Sequence, residues 1–326
     1  MKLFLERLKS NLSEFSQLDY YAVDAGAVSI LKVVKQVADE MGIPGTWYVE
    51  GWAATQNLPE AISSKVLSEK IESLKHESGW GYGIAMGQQV NFSAAHAILK
   101  SCQDHEIVTL FFSDHWKDIT GIFQPRDDGL VFPEKLFLPD EIAYDIFMEQ
   151  MSKKKYFDFL CQERIEVIPH LGVESSIADI SNISSEERQF LRRKFSHDTG
   201  CIILLALDPT ERDDEVDVGY CWRDVVNEAI TYRDQNYPKA FMWIKPHPRQ
   251  NKNMVADYCN ELGTKISLVE GSVEPYIAAA DEVWGMISVV LIVALKIDKP
   301  IRSFQPNRNQ FGMDESNSYI EPYLIT

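Results

Sequence analysis

The feature that most constrains this chain is an alternation, repeated from end to end, of apolar runs of strand length with longer stretches of helical spacing. In "DYYAVDAGAVSILKVVKQVADEMG" a strand closes near Val23 and a small-residue turn follows at Asp24, Ala25 and Gly26. A helix then carries Ile30, Val33, Val34 and Val37 on one face. Strand, helix and next strand in that order make a parallel βαβ unit. The pattern continues with strand "IPGTWYVEGWA", helix "SAAHAILKSC", buried strand "EIVTLFFSDHW", helix "DEIAYDIFMEQMSK" and strand "ERIEVIPHLG".

Residues 175–196 are serine-rich and polar at first, then helical. "SNISSEERQF" there sets a serine three residues before Glu or Arg, which marks a helix start. A second set opens with the fully apolar strand "GCIILLALDPT". It continues through helix "WRDVVNEAITYRDQ", strand "AFMWIKPHP", strand "KISLVEG", helix "VEPYIAAA", strand "DEVWGM", helix "SVVLIVALKI" and strand "PIRSF". With 326 residues the chain accommodates two domains of about 150 residues each. The expectation is α/β architecture in two Rossmann-like lobes, residues 1–185 and 186–326, with parallel sheets facing an interdomain cleft.

Ligands of open parallel sheets bind beyond the carboxyl ends of the strands. The polar residues that close apolar strands are therefore the candidates: Asp24 and Gly26, Asp114 and His115, His170, Asp208 and Thr210, Lys245, His247 and Arg249, and Gly285 with Ser288. In "IKPHPRQ" two prolines fix the backbone around a histidine flanked by two cations. That arrangement suits phosphate oxygens, or else it is a rigid turn with a structural histidine. In "DEVWGMISVV" Gly285 closes a strand and Ser288 opens an apolar helix. Helix-start amides favour an anion there, and the bland alternative is a tight turn with an N-cap serine.

Together, His247-Pro248 and the downstream Ser288 resemble the C-terminal lobe of GT-B-fold glycosyltransferases, over about residues 197–310. The likeness is to bacterial sialyl-, polysialyl- and Kdo-transferases and to the glycerophosphotransferases of wall and capsule synthesis. The resemblance implies that His247 and Ser288 contact the phosphates of a nucleotide-activated donor, with Lys245, Arg249 and Gly285 beside them. It implies a nucleotide-sugar donor, a glycan or lipid-linked acceptor, and a role in surface polysaccharide or glycoconjugate synthesis. Where many relatives keep a second hydroxyl, this chain has Val289.

In the N-terminal half, "DAGAVS" joins a strand to a helix, so Asp24, Gly26 and Ser29 either face a ligand or serve helix–strand packing. The G-x-G-x-x-G pattern of a dinucleotide site is missing. Asp114 and His115 in "FFSDHWKD" follow a strand, and one of them, or Asp24, is the candidate general base. Adjacent residues in extended chain point opposite ways, so at most one of the pair faces a ligand. The glycine-rich "ESGWGYGIAMGQQ", with Trp47, Trp52, Trp80 and Tyr82 nearby, reads as a mobile loop, on the acceptor side if sugars stack on its rings. His76, His96, His105 and His197 read as surface or packing residues, and His170 as structural.

Charge narrows the function classes. Lysine and arginine total 32 against 49 aspartates and glutamates, a net charge of −17, which disfavours nucleic acid and leaves at most a peripheral membrane association. Five scattered cysteines fit reduced thiols and a cytoplasmic location. No H-x-x-x-H, C-x-x-C or paired-carboxylate spacing points to a metal, and no cofactor beyond the donor substrate is expected. The alternatives on the same scaffold are a nucleotide-sugar 2-epimerase or hydrolase, for which Glu270, Glu274 and Glu282 are candidate carboxylates, and a non-catalytic binding subunit of a glycan-synthesis complex.

Overall fold

The computed structural model describes residues 2–56, 58–74, 81–87, 92–114, 119–121, 123, 131–153, 162–195, 200–208, 219–248, 250–263, 265–308 and 319–325. They form two compact units, Met1–Glu174 and Ser175–Thr326. Among the described residues no helix is long and apolar enough to cross a membrane.

The first unit runs α1 (Lys2–Leu12), β1 (Gln17–Ala22), α2 (Ala25–Glu40), β2 (Trp47–Val49), β3 (Ile62–Ser63), α3 (Ser64–Ser73), β4 (Tyr82–Gly87), α4 (Phe92–Asp104), β5 (Val108–Phe112), β6 (Lys135–Leu138), α5 (Glu141–Lys153) and β7 (Ile165–Val167). Its seven strands lie in the order β3-β2-β1-β4-β5-β6-β7, every neighbouring pair parallel. A parallel sheet needs helices on its faces, and the central strands are accordingly buried and mostly apolar on both sides, with Asp19 of β1 and Thr109 of β5 as buried polar exceptions. Leu18, Tyr20 and Ala22 of β1 pack with Leu31, Val34 and Ala38 of α2 and with Leu8 and Leu12 of α1, all buried. The sheet order reverses direction between β1 and β4, which defines the switch point where α/β sheets of this order take ligands.

Several stretches differ from the sequence reading. The glycine-rich segment read as a mobile loop contains β4, a central buried strand. Its glycines serve close packing: a Cβ on Gly83 would lie 2.3 Å from the Phe15 ring, and one on Gly87 would lie 2.5 Å from the Ala27 Cα. Residues 75–80, including Trp80 and His76, lie outside the described residues, as do 88–91. The serine-rich opening of residues 175–196 is itself helical, as part of α6 (Leu171–Asn182), in which Leu171, Val173 and Ile180 are buried. The units divide within this helix. Helix α3 and strands β3 and β6 had no counterpart in the sequence reading, nor did Lys252–Glu261 and Leu324–Ile325, a helix and a strand of the second unit.

The second unit runs α7 (Ser185–Phe195), β8 (Ile202–Ala206), α8 (Trp222–Asn236), β9 (Phe241–Lys245), α9 (Lys252–Glu261), β10 (Ile266–Leu268), α10 (Glu274–Ala279), β11 (Glu282–Gly285), α11 (Val289–Lys296), β12 (Ile301–Phe304) and β13 (Leu324–Ile325). The start of α7 is the capping box its sequence suggests. Glu187 N–H donates to Ser184 Oγ at 3.2 Å, and the Glu187 carboxylate accepts from Ser184 N–H at 2.8 Å. The six strands order as β10-β9-β8-β11-β12-β13, again all parallel, with β8 wholly buried at the switch point. Both sheets are therefore Rossmann-like, as the alternation of apolar runs predicts.

Candidate functional site

In the first unit the carboxyl ends of β1, β4, β5 and β7 meet the start of α2. Asp24 caps that helix, its Oδ1 accepting from Ala27 N–H at 3.3 Å, and it is half-buried. The Asp114 carboxylate, beyond β5, lies directly over Gly26: a Cβ there would come within 1.4 Å of Asp114 Oδ2. Asp24 and Asp114 thus flank one glycine, and the missing side chain is what lets the second carboxylate reach the helix start. Asp114 is 6% exposed, whereas Asp24 retains more of its surface. Ser29 is exposed on α2, and His115 lies outside the described residues.

His170, buried after β7, serves structure on both ring nitrogens. Its Nδ1 accepts from Val173 N–H at 3.2 Å at the start of α6, which assigns the proton to Nε2, and Nε2 donates to the Asp114 carbonyl at 2.9 Å. The ring therefore ties the end of β7 to the end of β5 and holds the Asp114 backbone. Glu50, at the end of β2 and not singled out in the sequence, accepts from Tyr21 Oη at 2.5 Å and Ser64 Oγ at 2.9 Å. Burial first, and the bond to Glu50 second, hold the Tyr21 hydroxyl above the usual tyrosine range, so it stays a donor.

In the second unit the His-Pro turn follows β9 and Ser288 follows β11, on the two strands that flank β8. Lys245 closes β9 half-buried, and its Nζ donates to the Pro246 carbonyl at 3.2 Å. Burial, and then the charge of Lys252, push its ammonium below the ordinary lysine value, while Glu274 and Glu270 oppose the shift. Ser288 caps α11, accepting from Val290 N–H at 3.3 Å. Gly285 brings the β11 end close to β8: a Cβ there would sit 3.0 Å from the Ala206 carbonyl. Arg249 and Thr210 lie outside the described residues.

A line of hydrogen bonds joins these strand ends. Gln250 accepts from His247 N–H at 2.8 Å and donates to the Asp208 carbonyl at 3.2 Å. The Asp208 carboxylate accepts from Ile287 N–H at 3.1 Å, one residue before Ser288. Beyond it, Ser303 Oγ donates to the Met286 carbonyl at 2.5 Å, Gln305 donates to Ser303 Oγ at 2.9 Å, and Arg308 reaches Gln305 at 3.2 Å. The edge built this way combines a lysine, a histidine and a helix N-terminus, which is chemistry suited to an anion.

Of the carboxylates considered for an epimerase, Glu270 and Glu274 act electrostatically on the Lys245 ammonium beside the His247 turn, whereas Glu282 does not share that edge. Glu282 is at the opposite, amino end of β11, where it accepts from Trp284 Nε1 at 2.9 Å and pairs with Arg302 at 3.4 Å. Glu274, first in α10, accepts from Ser176 Oγ at 2.8 Å. Of the remaining histidines, His96 is buried in α4, and His105 meets the Ser101 carbonyl at 2.7 Å; His197 lies outside the described residues. Among the described residues no cluster of His, Cys, Asp or Glu is arranged to hold a metal.

Neither a family model nor a curated sequence matches the chain. Solved structures do. The UDP-GlcNAc 2-epimerase of Methanocaldococcus jannaschii superposes with a TM-score of 0.60 at 14% identity, covering 90% of this chain and 85% of its own. A glycosyltransferase from Rickettsia africae ESF-5 gives 0.54 at 10% identity, covering 90% and 80%. A variant of the wall teichoic acid polymerase TagF gives 0.53 at 11% identity, covering 92% and 74%. These likenesses establish the fold as the α/β type shared by GT-B glycosyltransferases and UDP-GlcNAc 2-epimerases.

Proposed function

We propose that this chain is a nucleotide-sugar enzyme, and that its reaction is metal-independent transfer of the sugar to a glycan or lipid-linked acceptor in surface-polysaccharide or glycoconjugate synthesis. The observation that carries the reading is the pairing of the His247 turn and the Ser288 helix start on the two strands flanking β8. In this reading the donor diphosphate lies along that edge. Lys245, His247 and Arg249 supply positive charge and hydrogen-bond donors, and the first amides of α11 with Ser288 receive the leaving phosphate. Charge that develops on the leaving group is then stabilised by groups already in place, without a metal. Asp24, more exposed than Asp114, is the proposed base for the acceptor hydroxyl, with Asp114 and His115 as the other candidates. The structural neighbours support the substrate class, since their names include a UDP-GlcNAc 2-epimerase and a glycosyltransferase.

The test is thermal-shift titration of the whole chain with UDP, CDP, GDP and CMP and their sugar conjugates, with and without Mg²⁺. A cognate nucleotide at 100 times its Kd is expected to stabilise the fold by about 2.7 kcal/mol. His247→Ala is expected to abolish that shift while leaving the unliganded midpoint near its original value, because the half-exposed ring contributes little core. If no nucleotide moves the midpoint, the donor reading falls and the role of a non-catalytic binding subunit takes its place.

The second reading is a UDP-GlcNAc 2-epimerase or hydrolase, favoured by the superposition over 90% of this chain. Incubation with UDP-GlcNAc alone separates the two. Release of UDP or inversion at C2 without an acceptor selects the second reading, and strict acceptor dependence selects transfer.

A further inference from the structure

The two halves of the anion-binding edge come from segments far apart in sequence, and each is fastened to the same point, the end of β8. Gln250 accepts from His247 N–H at 2.8 Å and donates to the Asp208 carbonyl at 3.2 Å, so its amide fixes the His-Pro turn. The side chain of Asp208 accepts from Ile287 N–H at 3.1 Å, and its own N–H meets Met286 Sδ at 3.3 Å, which fixes the segment leading into Ser288. A carboxylate beside an anion site would normally oppose it by charge repulsion. Its presence here makes physical sense as a hydrogen-bond acceptor that aims the β11–α11 connection.

We infer that Asp208 and Gln250 are positioning residues that set the spacing between the His247 turn and the Ser288 helix start; the consequence for ligand affinity rests on the donor-site reading above. Neither side chain need touch the nucleotide. Their effect is to hold two donor groups at one separation, so that a diphosphate meets both without first ordering them.

The experiment uses the full chain, labelled at histidine and isoleucine, and follows amide exchange at His247 and Ile287 without ligand, followed by calorimetric titration with UDP. Gln250→Leu is expected to speed exchange at His247 about tenfold or more and leave Ile287 unchanged, because only the first amide loses its acceptor. Asp208→Ala is expected to do the reverse. Asp208→Asn keeps an oxygen for Ile287 N–H, so it should retain protection there. Unchanged exchange in both Gln250→Leu and Asp208→Ala would overturn the inference, whatever UDP does.

For UDP, Gln250→Leu and Asp208→Ala are each expected to weaken binding by about tenfold. Asp208→Asn should bind at least as tightly as the parent, having lost a like charge and kept the hydrogen bond. Equal weakening in Asp208→Asn and Asp208→Ala would also overturn the inference, since rescue by the neutral isostere is its signature. If the parent chain does not bind UDP while the amides respond as expected, the positioning role stands and the donor reading for this nucleotide falls.

Discussion

Asp24→Asn is expected to lower the rate of sugar transfer by about 10²–10⁴-fold while leaving the fold nearly as stable as the parent. The two effects separate because Asp24 has two jobs in this reading. As the N-cap of α2 it accepts from Ala27 N–H at 3.3 Å, and an asparagine oxygen accepts that bond about equally well. What the amide cannot do is take a proton from an acceptor hydroxyl. The helix also loses a negative charge at its positive end, worth about 0.3–1 kcal/mol, which bounds the stability change. Asp24→Ala should show both losses, with the cap costing about 0.5–2 kcal/mol. The measurement is nucleotide release from whichever donor gives the thermal shift, beside a denaturation midpoint for each variant. Full activity in Asp24→Asn would remove Asp24 as the base and pass the role to Asp114 or His115.

Asp114→Asn is a less clean version of the same experiment, for a structural reason. Its carboxylate sits over Gly26, and its backbone carbonyl accepts from His170 Nε2 at 2.9 Å. A change there disturbs the packing of α2 on β5 as well as any chemistry. Exposure and a removable function coincide at Asp24, which makes it the more informative position.

Much of the architecture was legible because it rests on local signals. β8 and α11 are near-continuous apolar runs, and Ser288 announces a helix start by residue type alone, so the fold class and the strand-end candidates follow from the sequence; the cap that Asp24 makes on α2 does not. The failures came where tertiary packing overrides local composition. Glycine in β4 looks like mobility, but Gly83 and Gly87 are there because Phe15 and Ala27 occupy the space a side chain would need. Serines near 175 look like a linker, yet a helix needs only a buried stripe, and Leu171, Val173 and Ile180 provide it.

The site shows the same division. His247 and Ser288 stand out by motif and Asp208 as a polar strand end, whereas Gln250, and what it does with Asp208, emerges only through a hydrogen bond spanning 42 positions. Glu282 illustrates the converse. It is a plausible carboxylate by type, and the strand's direction puts it at the end away from the candidate site, bonded to Trp284.

The largest stability effect is expected at Lys70, on the helix that the sequence reading missed. Its ammonium lies 2.5 Å from Asp19 Oδ2 and over the Tyr82 and Tyr48 rings, at 4.9 and 5.7 Å from their centroids. Asp19 is fully buried in β1 and also accepts from Tyr82 Oη at 2.7 Å and Thr46 N–H at 3.0 Å, so one carboxylate joins β1, the start of β2, α3 and β4. Burial, and then the Asp19 charge, hold the Tyr82 hydroxyl well above the usual tyrosine range, which keeps it a donor to that carboxylate. Lys70→Met removes the countercharge and leaves the carboxylate in place, a change that typically costs about 3–5 kcal/mol. Asp19→Asn is expected to be milder, because the lysine it orphans is 26% exposed and can turn to water. The double variant Asp19→Asn/Lys70→Met should then be more stable than Lys70→Met alone, since it contains no buried charge and the amide can still meet Thr46 N–H and the Tyr82 hydroxyl. Urea denaturation midpoints of the three variants decide the matter. A double variant no more stable than Lys70→Met would mean that packing of the lysine stem on the two rings, and not the ion pair, fastens α3 to the sheet.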